Sequence, residues 1–517
     1  MNTPSTLAPT GAQYLESLRD DRCVFFNGER VRDVTSHPAL RNAARSVARL
    51  YDALHEPGLS PVLTCQTDTG SLGRTHRCFR AARTREDLVG AQHAIAQWAR
   101  LSYGWLGRSP DYKAAFTNTL GANPDFYGPF APNARRWYRF AQEHVPFMNH
   151  SIVNPPVDRH LPPHQIRDVC VRIEKETDAG IVVSGAKVVA TAAAFTQYNF
   201  IGQTPATVGD DPSMAVAFMV PIAAPGLKLI CRTSYEHAAA SASPFDYPLS
   251  SRFDENDAIL VLDRVFVPWE DVLIHRDPQR SRAFITDSGF QSGFLFHGCT
   301  RFAVKLEFIA GLLSRALHAT GGDESRQNQA LLGELIGWGH TFRSLSDAMA
   351  LSPDPWTPGF VLPARQAALS YNMLAPQCSE RVRDIVMQTV GSGFMYLPAS
   401  VRDLHDGEID ACLSRFVRGS HGTDHVERIK VLKLLWDAIG SEFASRHALY
   451  ERLYAGGPEQ VRLQTLHLAQ RDRHLAQAEA LAGQCLNDYD TRGWRDHTWC
   501  FGPDQSPLPS FPTAISA

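Results

Sequence analysis

In the first part of the chain, apolar residues recur at three- and four-residue steps. Ala44, Val47, Leu50 and Leu54 form one such stripe within residues 41–54, the spacing of a helix that buries one face. This helical pattern covers residues 12–149 and is broken by loops rich in Gly, Pro and Asn, such as residues 121–132. Between residue 155 and about residue 275 the period changes. Val171, Ile173, Val182, Val183, Val188 and Val189 fall in short runs separated by the turn sequences Thr177-Asp178-Ala179-Gly180 and Ser184-Gly185, which reads as β structure. Further short runs at residues 214–220, 227–231 and 259–267, the last closed by Pro268-Trp269, complete a small barrel or sandwich. From Gly298 onward helical stripes return: Phe302, Leu306, Ile309, Leu313 and Leu317, then Val426, Ile429, Leu432, Leu435, Ile439 and Phe443. The predicted class is therefore α+β. An N-terminal helical domain occupies residues 1–150, a middle β-barrel domain residues 151–280, and a C-terminal helical bundle with an extended tail residues 281–517.

Composition narrows the chemistry. A chain of 517 residues with 44% hydrophobic and 20% charged residues can bury a large core. A net charge of -3 gives no general attraction to nucleic acid or to an anionic membrane. No apolar run approaches the roughly 20 residues that span a bilayer, and the start has no secretory pattern, so a cytoplasmic protein acting on a small molecule is expected. The ten cysteines are scattered without a CxxC pair or zinc-like spacing and read as reduced packing thiols, with no metal expected. The first ten residues and the Pro/Ser-rich tail, residues 502–517, read as weakly structured.

The common cofactor and hydrolase signatures are absent: GxGxxG after a strand, GxxxxGK[ST], HExxH and GxSxG with a triad. Polar residues set among aromatic ones stand out instead, in residues 103–112 and 147–156. Pro110 disfavours helix at Ser109, so Arg108 sits at a bend and Tyr112 in a new helix. The two side chains can then meet and hold a phenolic oxygen; equally, Arg108 can satisfy helix-end carbonyls and Tyr112 can be core. His150 precedes an extended Pro155-Pro156 segment at the junction of the helical and β regions, where a neutral imidazole can share a phenol proton, although a lone histidine is more often structural. The strand ending Thr191-Ala192-Ala193-Ala194-Phe195-Thr196 offers small residues and two hydroxyls to a flat ring, or is plain packing. Gln388, Gly391 and Gly393 mark a glycine-bearing break beside a helix, able to present amides to a pyrophosphate or to form a helix C-cap.

Several ordered stretches carry a resemblance over nearly the whole chain: residues 13–19, 103–112, Asn149-His150, 155–159, 183–191, 248–252, 296–301 and 433–437. In these the sequence resembles the oxygenase components of the 4-hydroxyphenylacetate 3-monooxygenase family, and more closely relatives acting on coumarate- or tyrosine-type phenols. The resemblance implies an acyl-CoA dehydrogenase-like fold with FAD between the β domain and the bundle. It implies a separate NAD(P)H:flavin reductase that delivers FADH2, reaction with O2 to a flavin C4a-hydroperoxide, and ortho-hydroxylation of a para-substituted phenol, free or tethered to a carrier protein. Arg108, Tyr112 and His150 match the family's phenol-holding trio. His150, Thr191, Ala193, Thr196, Gln388, Gly391 and Gly393 match its flavin-binding positions, the last three on a segment that reaches a neighbouring subunit in a homotetramer or homodimer.

The chain departs from the family in two places. Where relatives read Thr-Gly-Ser-Ala-Leu-Thr, Ala193 removes a hydroxyl near the flavin, and Gln203, followed by Thr204-Pro205, stands where relatives often have His, which implies a reshaped flavin or substrate wall. These departures leave two other readings open. One is the same fold with altered chemistry: N-oxidation, oxidative dehalogenation or acyl-thioester dehydrogenation. The other is a flavin-binding homologue without catalysis.

Overall fold

The computed structural model describes residues 8–158, 160–162, 165–204, 211–454, 456–491 and 493–495. Both predicted weak ends lie largely or wholly outside these residues, as do Arg159 and Pro205. By contacts the chain divides into two compact units, Met1–Tyr454 and Ala455–Ala517.

The first unit opens with helices, chief among them Arg41–Ala53, Arg85–Leu101, Pro110–Ala122 and Ala131–His144. Thr84 starts the second of these with a capping box to Asp87, satisfying two of the amides that a helix start leaves open. The segment read as wholly helical also contains short strands. Val24–Phe26 and Glu29–Val31 pair with each other, and the former pairs in parallel with Leu227–Cys231; Thr64–Gln66 pairs with Arg74–His76. Three-residue strands are too short to show an alternating pattern, and only Val24–Phe26 has a partner far along the chain.

The middle of the chain builds two sheets. The larger runs Glu29–Val31, Val24–Phe26, Leu227–Cys231, Asp257–Pro268, Gly180–Thr191, Arg172–Thr177. The smaller runs Val272–His275, Val216–Pro221, Tyr198–Ile201, Met148–Ser151. His150 lies on its edge strand, opposite Phe200 in a parallel pair. Because side chains alternate across a strand, His150 and Phe200 share the face that meets helix Pro110–Ala122, where the Phe200 ring tilts against Phe116 at 4.4 Å.

Five helices complete the first unit's bundle: Phe290–Thr320, Arg326–Leu351, Arg365–Phe394, His425–Ile439 and Glu442–Leu453. The stripe Phe302, Leu306, Ile309, Leu313 and Leu317 is buried throughout. In the second stripe Ile429, Leu432, Leu435 and Phe443 are buried, whereas Val426, in the first turn, is exposed. From Phe290 to Leu306 the long helix is buried on nearly all sides, so it forms a central post on which the other elements converge. The second unit holds helices Pro458–Arg471 and His474–Asn487, packed on each other, and a short hairpin of Tyr489–Asp490 with Gly493–Trp494. Among the described residues no helix is long and apolar enough to cross a membrane.

Candidate active site

The loop before helix Pro110–Ala122 is pressed against two bundle helices. Tyr103 and Gly104 have φ of 54° and 78°. A Cβ at Gly104 would lie 2.8 Å from Lys305 backbone, and one at Gly107 2.6 Å from the Tyr450 ring, so glycine is required at both close approaches. Arg301 donates from Nη1 to the Gly104 carbonyl at 2.8 Å, and the Tyr450 hydroxyl donates to the Gly107 carbonyl at 3.1 Å. The Arg108 amide donates to the Glu255 carboxylate. The backbone of the bend is thus held at three successive points, and the Arg108 side chain is aimed by it.

That side chain enters an aromatic box. Its guanidinium carbon sits 4.2 Å from the Tyr112 ring centre, 5.3 Å from Tyr450 and 5.6 Å from Tyr454, an arrangement attractive to a cation. Arg108 is only 9% exposed, yet its Nε and Nη1 have no hydrogen-bond partner. The Tyr112 ring lies 5.9 Å from His150, stacked, and 5.2 Å from His297, edge-on. Phe290 meets His150 edge-on at 5.7 Å, and Phe294 tilts against Tyr112 at 6.4 Å. The expected trio of Arg108, Tyr112 and His150 therefore does meet in one place, roofed by Phe290, Phe294 and His297 from the central helix.

Lys113, which sequence reasoning missed, is also here. Its Nζ contacts His150 Nδ1 and lies 4.7 Å from the Tyr112 ring centre and 5.1 Å from that of Phe290. Burial, with Lys113 and then Arg108 adding to it, pushes His150 well below the ordinary histidine range. Burial and Arg108 do the same to Lys113. Burial raises the Tyr112 phenol, and Arg108 opposes that rise. The site thus favours neutral bases beside a fixed guanidinium.

A buried charge chain links this loop to the predicted flavin-facing strand end. Glu255, which holds the Arg108 amide, also bonds Arg446 Nη1 at 3.2 Å; Arg446 Nη2 bonds Asp257 at 2.8 Å, and Asp257 accepts from the Thr191 hydroxyl. Beyond Thr191 the chain turns through Ala192 at φ 61° into a short 3₁₀ turn, Ala193–Phe195. Tyr14 and Arg22 hold that turn by donating to the Phe195 and Ala194 carbonyls. The Thr196 hydroxyl donates to the Ala193 carbonyl at 3.0 Å, so both threonine hydroxyls are engaged within the protein.

The other predicted positions fall elsewhere. Gln388, Gly391 and Gly393 are not at a break; they lie in the last turns of the continuous helix Arg365–Phe394. A helix C-terminus leaves carbonyls unpaired and its amides already bonded, so this segment does not offer amides. Gln388 is exposed and donates to Asp384, while Gly393 is buried under Leu432. None of the three has a described contact with the trio. Gln203 is an interior residue: it is 2% exposed, donates to the Val171 carbonyl and accepts from Lys187 at 2.7 Å. It helps satisfy a lysine that burial draws down to about 7. His76, Cys78 and Asp111 approach within 4.8 Å of one another, a grouping that their sequence spacing did not suggest. Asp111 is engaged by His297 at 3.2 Å and by Ser109, and the His76 ring takes the Cys78 amide.

Comparison with known proteins shows the family. Residues 10–274 match the family pattern described as 4-hydroxyphenylacetate 3-hydroxylase N terminal, and residues 281–483 match its C-terminal counterpart. The chain is 53% identical over 493 residues to the 4-hydroxyphenylacetate 3-monooxygenase oxygenase component of Escherichia coli, covering 95% of each protein. It is 52% identical over 486 residues to the (3S)-3-amino-3-(3-chloro-4-hydroxyphenyl)propanoyl-[peptidyl-carrier protein SgcC2] monooxygenase of Streptomyces globisporus, covering 94% of this chain and 92% of that one. Its fold superposes with TM-score 0.86, at 29% identity and covering 92% and 99% of the two chains, on the crystal structure of the oxygenase component (HpaB) of 4-hydroxyphenylacetate 3-monooxygenase complexed with FAD and 4-hydroxyphenylacetate. Matched along both halves and at this identity, the chain belongs to the 4-hydroxyphenylacetate 3-hydroxylase family.

Proposed function

We propose that the protein is the oxygenase component of a two-component, reduced-flavin-dependent monooxygenase that adds a hydroxyl ortho to the hydroxyl of a para-substituted phenol. Its family membership supports the reaction class. The observation that carries the reading is the buried Arg108 guanidinium, with two of its nitrogens unbonded, beside Tyr112 and a neutral His150. No described carboxylate pairs with that guanidinium: Glu255 bonds the Arg108 amide, not its side chain. A buried cation with free donors fits a phenolic oxygen that becomes negative during the reaction.

The residues at the strand end fit a flavin in a particular way. Ala192, Ala193 and Ala194 are buried and carry nothing beyond a methyl group, while Thr191 and Thr196 are already hydrogen-bonded. This suits a flat ring resting on a smooth surface. Thr191, Ala193, Thr196 and His150 are the residues that would hold it. FAD, delivered reduced by a separate NAD(P)H:flavin reductase, supplies with O2 the electrons and the oxygen atom.

The chain's own residues do the rest. Arg108 donates to the phenol oxygen and fixes the ring's orientation. His150 Nδ1 is taken by Lys113, and no described hydrogen bond engages Nε2, which is therefore the nitrogen that accepts the phenol proton. Withdrawing that proton enriches the ortho carbon in electrons. Phe290, Phe294, Tyr450 and Tyr454 exclude water, so that activated oxygen reacts with the ring before it is lost as hydrogen peroxide. The substrate is a tyrosine-like or cinnamate-like phenol, free or carrier-bound.

His150→Ala tests this assignment. With flavin supplied to saturation, the variant is expected to form catechol roughly 10²–10⁴-fold more slowly, releasing hydrogen peroxide in its place. Paired catechol and peroxide assays measure the split. A parent-like catechol yield would remove His150 from the chemistry.

A further inference from the structure

We propose that His150 passes the phenol proton on to Lys113, which stores it while the ring is hydroxylated; the inference rests on the phenol-binding reading above. Four lysines are buried among the described residues: Lys113, Lys187, Lys305 and Lys433. Lys305 bonds the Glu451 carboxylate and Lys433 bonds Asp246. Lys187 has three oxygen acceptors, the Ile152 carbonyl, Asn154 and Gln203. Lys113 has an imidazole nitrogen and two aromatic faces. An ammonium there has three donors and a single described acceptor, the imidazole nitrogen, so Lys113 rests as an amine whose lone pair is matched by one imidazole N–H, and it takes a proton only when a phenolate charge balances it.

The groups around the pair agree. Helix Pro110–Ala122 contributes Tyr112, the preceding loop Arg108, and the central helix Phe290, with His297 on the far side of Tyr112. Arg108 is the charged group that faces the pair, and it disfavours a second cation on either base. An imidazolium at His150 would sit between Arg108 and Lys113. An alkyl amine is intrinsically more basic than an imidazole by roughly four pKa units, so the proton rests better on Nζ than on the ring.

The step balances. The phenol O–H bond breaks and its proton bonds to His150 Nε2. The proton on Nδ1 moves to the Lys113 Nζ lone pair. The products are a phenolate beside Arg108, a neutral imidazole in its other tautomer, and a lysine ammonium, with total charge unchanged. Lys113 acts through His150 and does not touch the substrate. The reverse transfer returns the proton to the product.

The FAD-loaded protein with 4-nitrophenol, whose phenolate is visible by absorbance, tests the relay. The pH midpoint for ionisation of the bound phenol is read in the parent, in Lys113→Met and in Lys113→Gln, the last keeping a polar group without basicity. Each substitution is expected to raise the midpoint by about one unit or more, a tenfold or greater loss in ionisation. Binding of 4-nitroanisole, which has no proton to give, is expected to stay unchanged. His150→Ala is expected to give a similar shift, to which adding Lys113→Met contributes nothing further. A parent-like midpoint in either lysine variant that folds overturns the relay, as does equal weakening of both ligands without a midpoint shift. A parent protein that binds neither compound overturns the phenol-binding reading itself.

Discussion

Arg108 keeps two buried nitrogens, Nε and Nη1, without acceptors, at a cost of about 1–3 kcal/mol for each. A fold carries such a cost where a ligand later meets it. Arg108→Met is therefore expected to fold normally and to bind a phenol roughly 10–100-fold more weakly, the loss of one charge-assisted hydrogen bond or two. The corresponding methyl ether is expected to lose much less affinity. Equilibrium titration of both ligands checks this, and an equal loss for the two would show that Arg108 shapes the pocket without bonding the hydroxyl. That Arg108 and Tyr112 can meet was legible because Pro110 dictates a bend and the local helix start, whereas His150 was joined to them only by the family resemblance. Lys113 was not, since the residue after Tyr112 on a helix is ordinarily expected on another face. Tyr450 and Tyr454, four apart on the last helix of the bundle, carried a helical spacing but no sign of what they face.

The element that organises the site is helix Phe290–Thr320. Along one side it places Phe290, Phe294, His297, Arg301 and Lys305 at steps of three or four residues, the first three against the trio and the last two against Glu451 of helix Glu442–Leu453. Glu451 is 2% exposed and pairs with Arg301 at 2.7 Å and Lys305 at 3.0 Å. Removing it strands two buried cations, so Glu451→Ala is expected to destabilise the protein by about 3–5 kcal/mol. Arg301 also holds the Gly104 carbonyl, so the substitution should loosen the Arg108 bend and lower phenol affinity too. A fall in the urea midpoint together with weaker phenol binding would bear this out; an unchanged midpoint would contradict it. The apolar stripe of this helix was readable, but its polar row was not, because an arginine and a lysine one turn apart look like a solvated face until a carboxylate from another helix is seen to neutralise them. Local pattern misled at Gln388, Gly391 and Gly393, where glycines that suggest a break are tolerated inside the last turns of a long helix.

Over the whole molecule, the change of period from helix to strand and back was enough to read the order of structure, because long strands and long helices impose their repeats on the sequence. The short strands Val24–Phe26 and Glu29–Val31 were missed although Asn27-Gly28 between them is a hairpin signal; only the parallel pairing of Val24–Phe26 with Leu227–Cys231 lies beyond any local window. The charge chain from Arg108 through Glu255, Arg446 and Asp257 to Thr191 is likewise a product of the assembled fold. It joins the loop that would hold the phenol to the strand end that would face the flavin, so the two halves of the proposed reaction share one rigid frame. The most direct test of that arrangement is a single turnover with supplied FADH2, ¹⁸O₂ and a panel of para-substituted phenols, analysed by mass spectrometry. The account predicts a catechol carrying one ¹⁸O atom ortho to the original hydroxyl, in at least one member of the panel. Complete consumption of FADH2 as hydrogen peroxide with every phenol unchanged would contradict it.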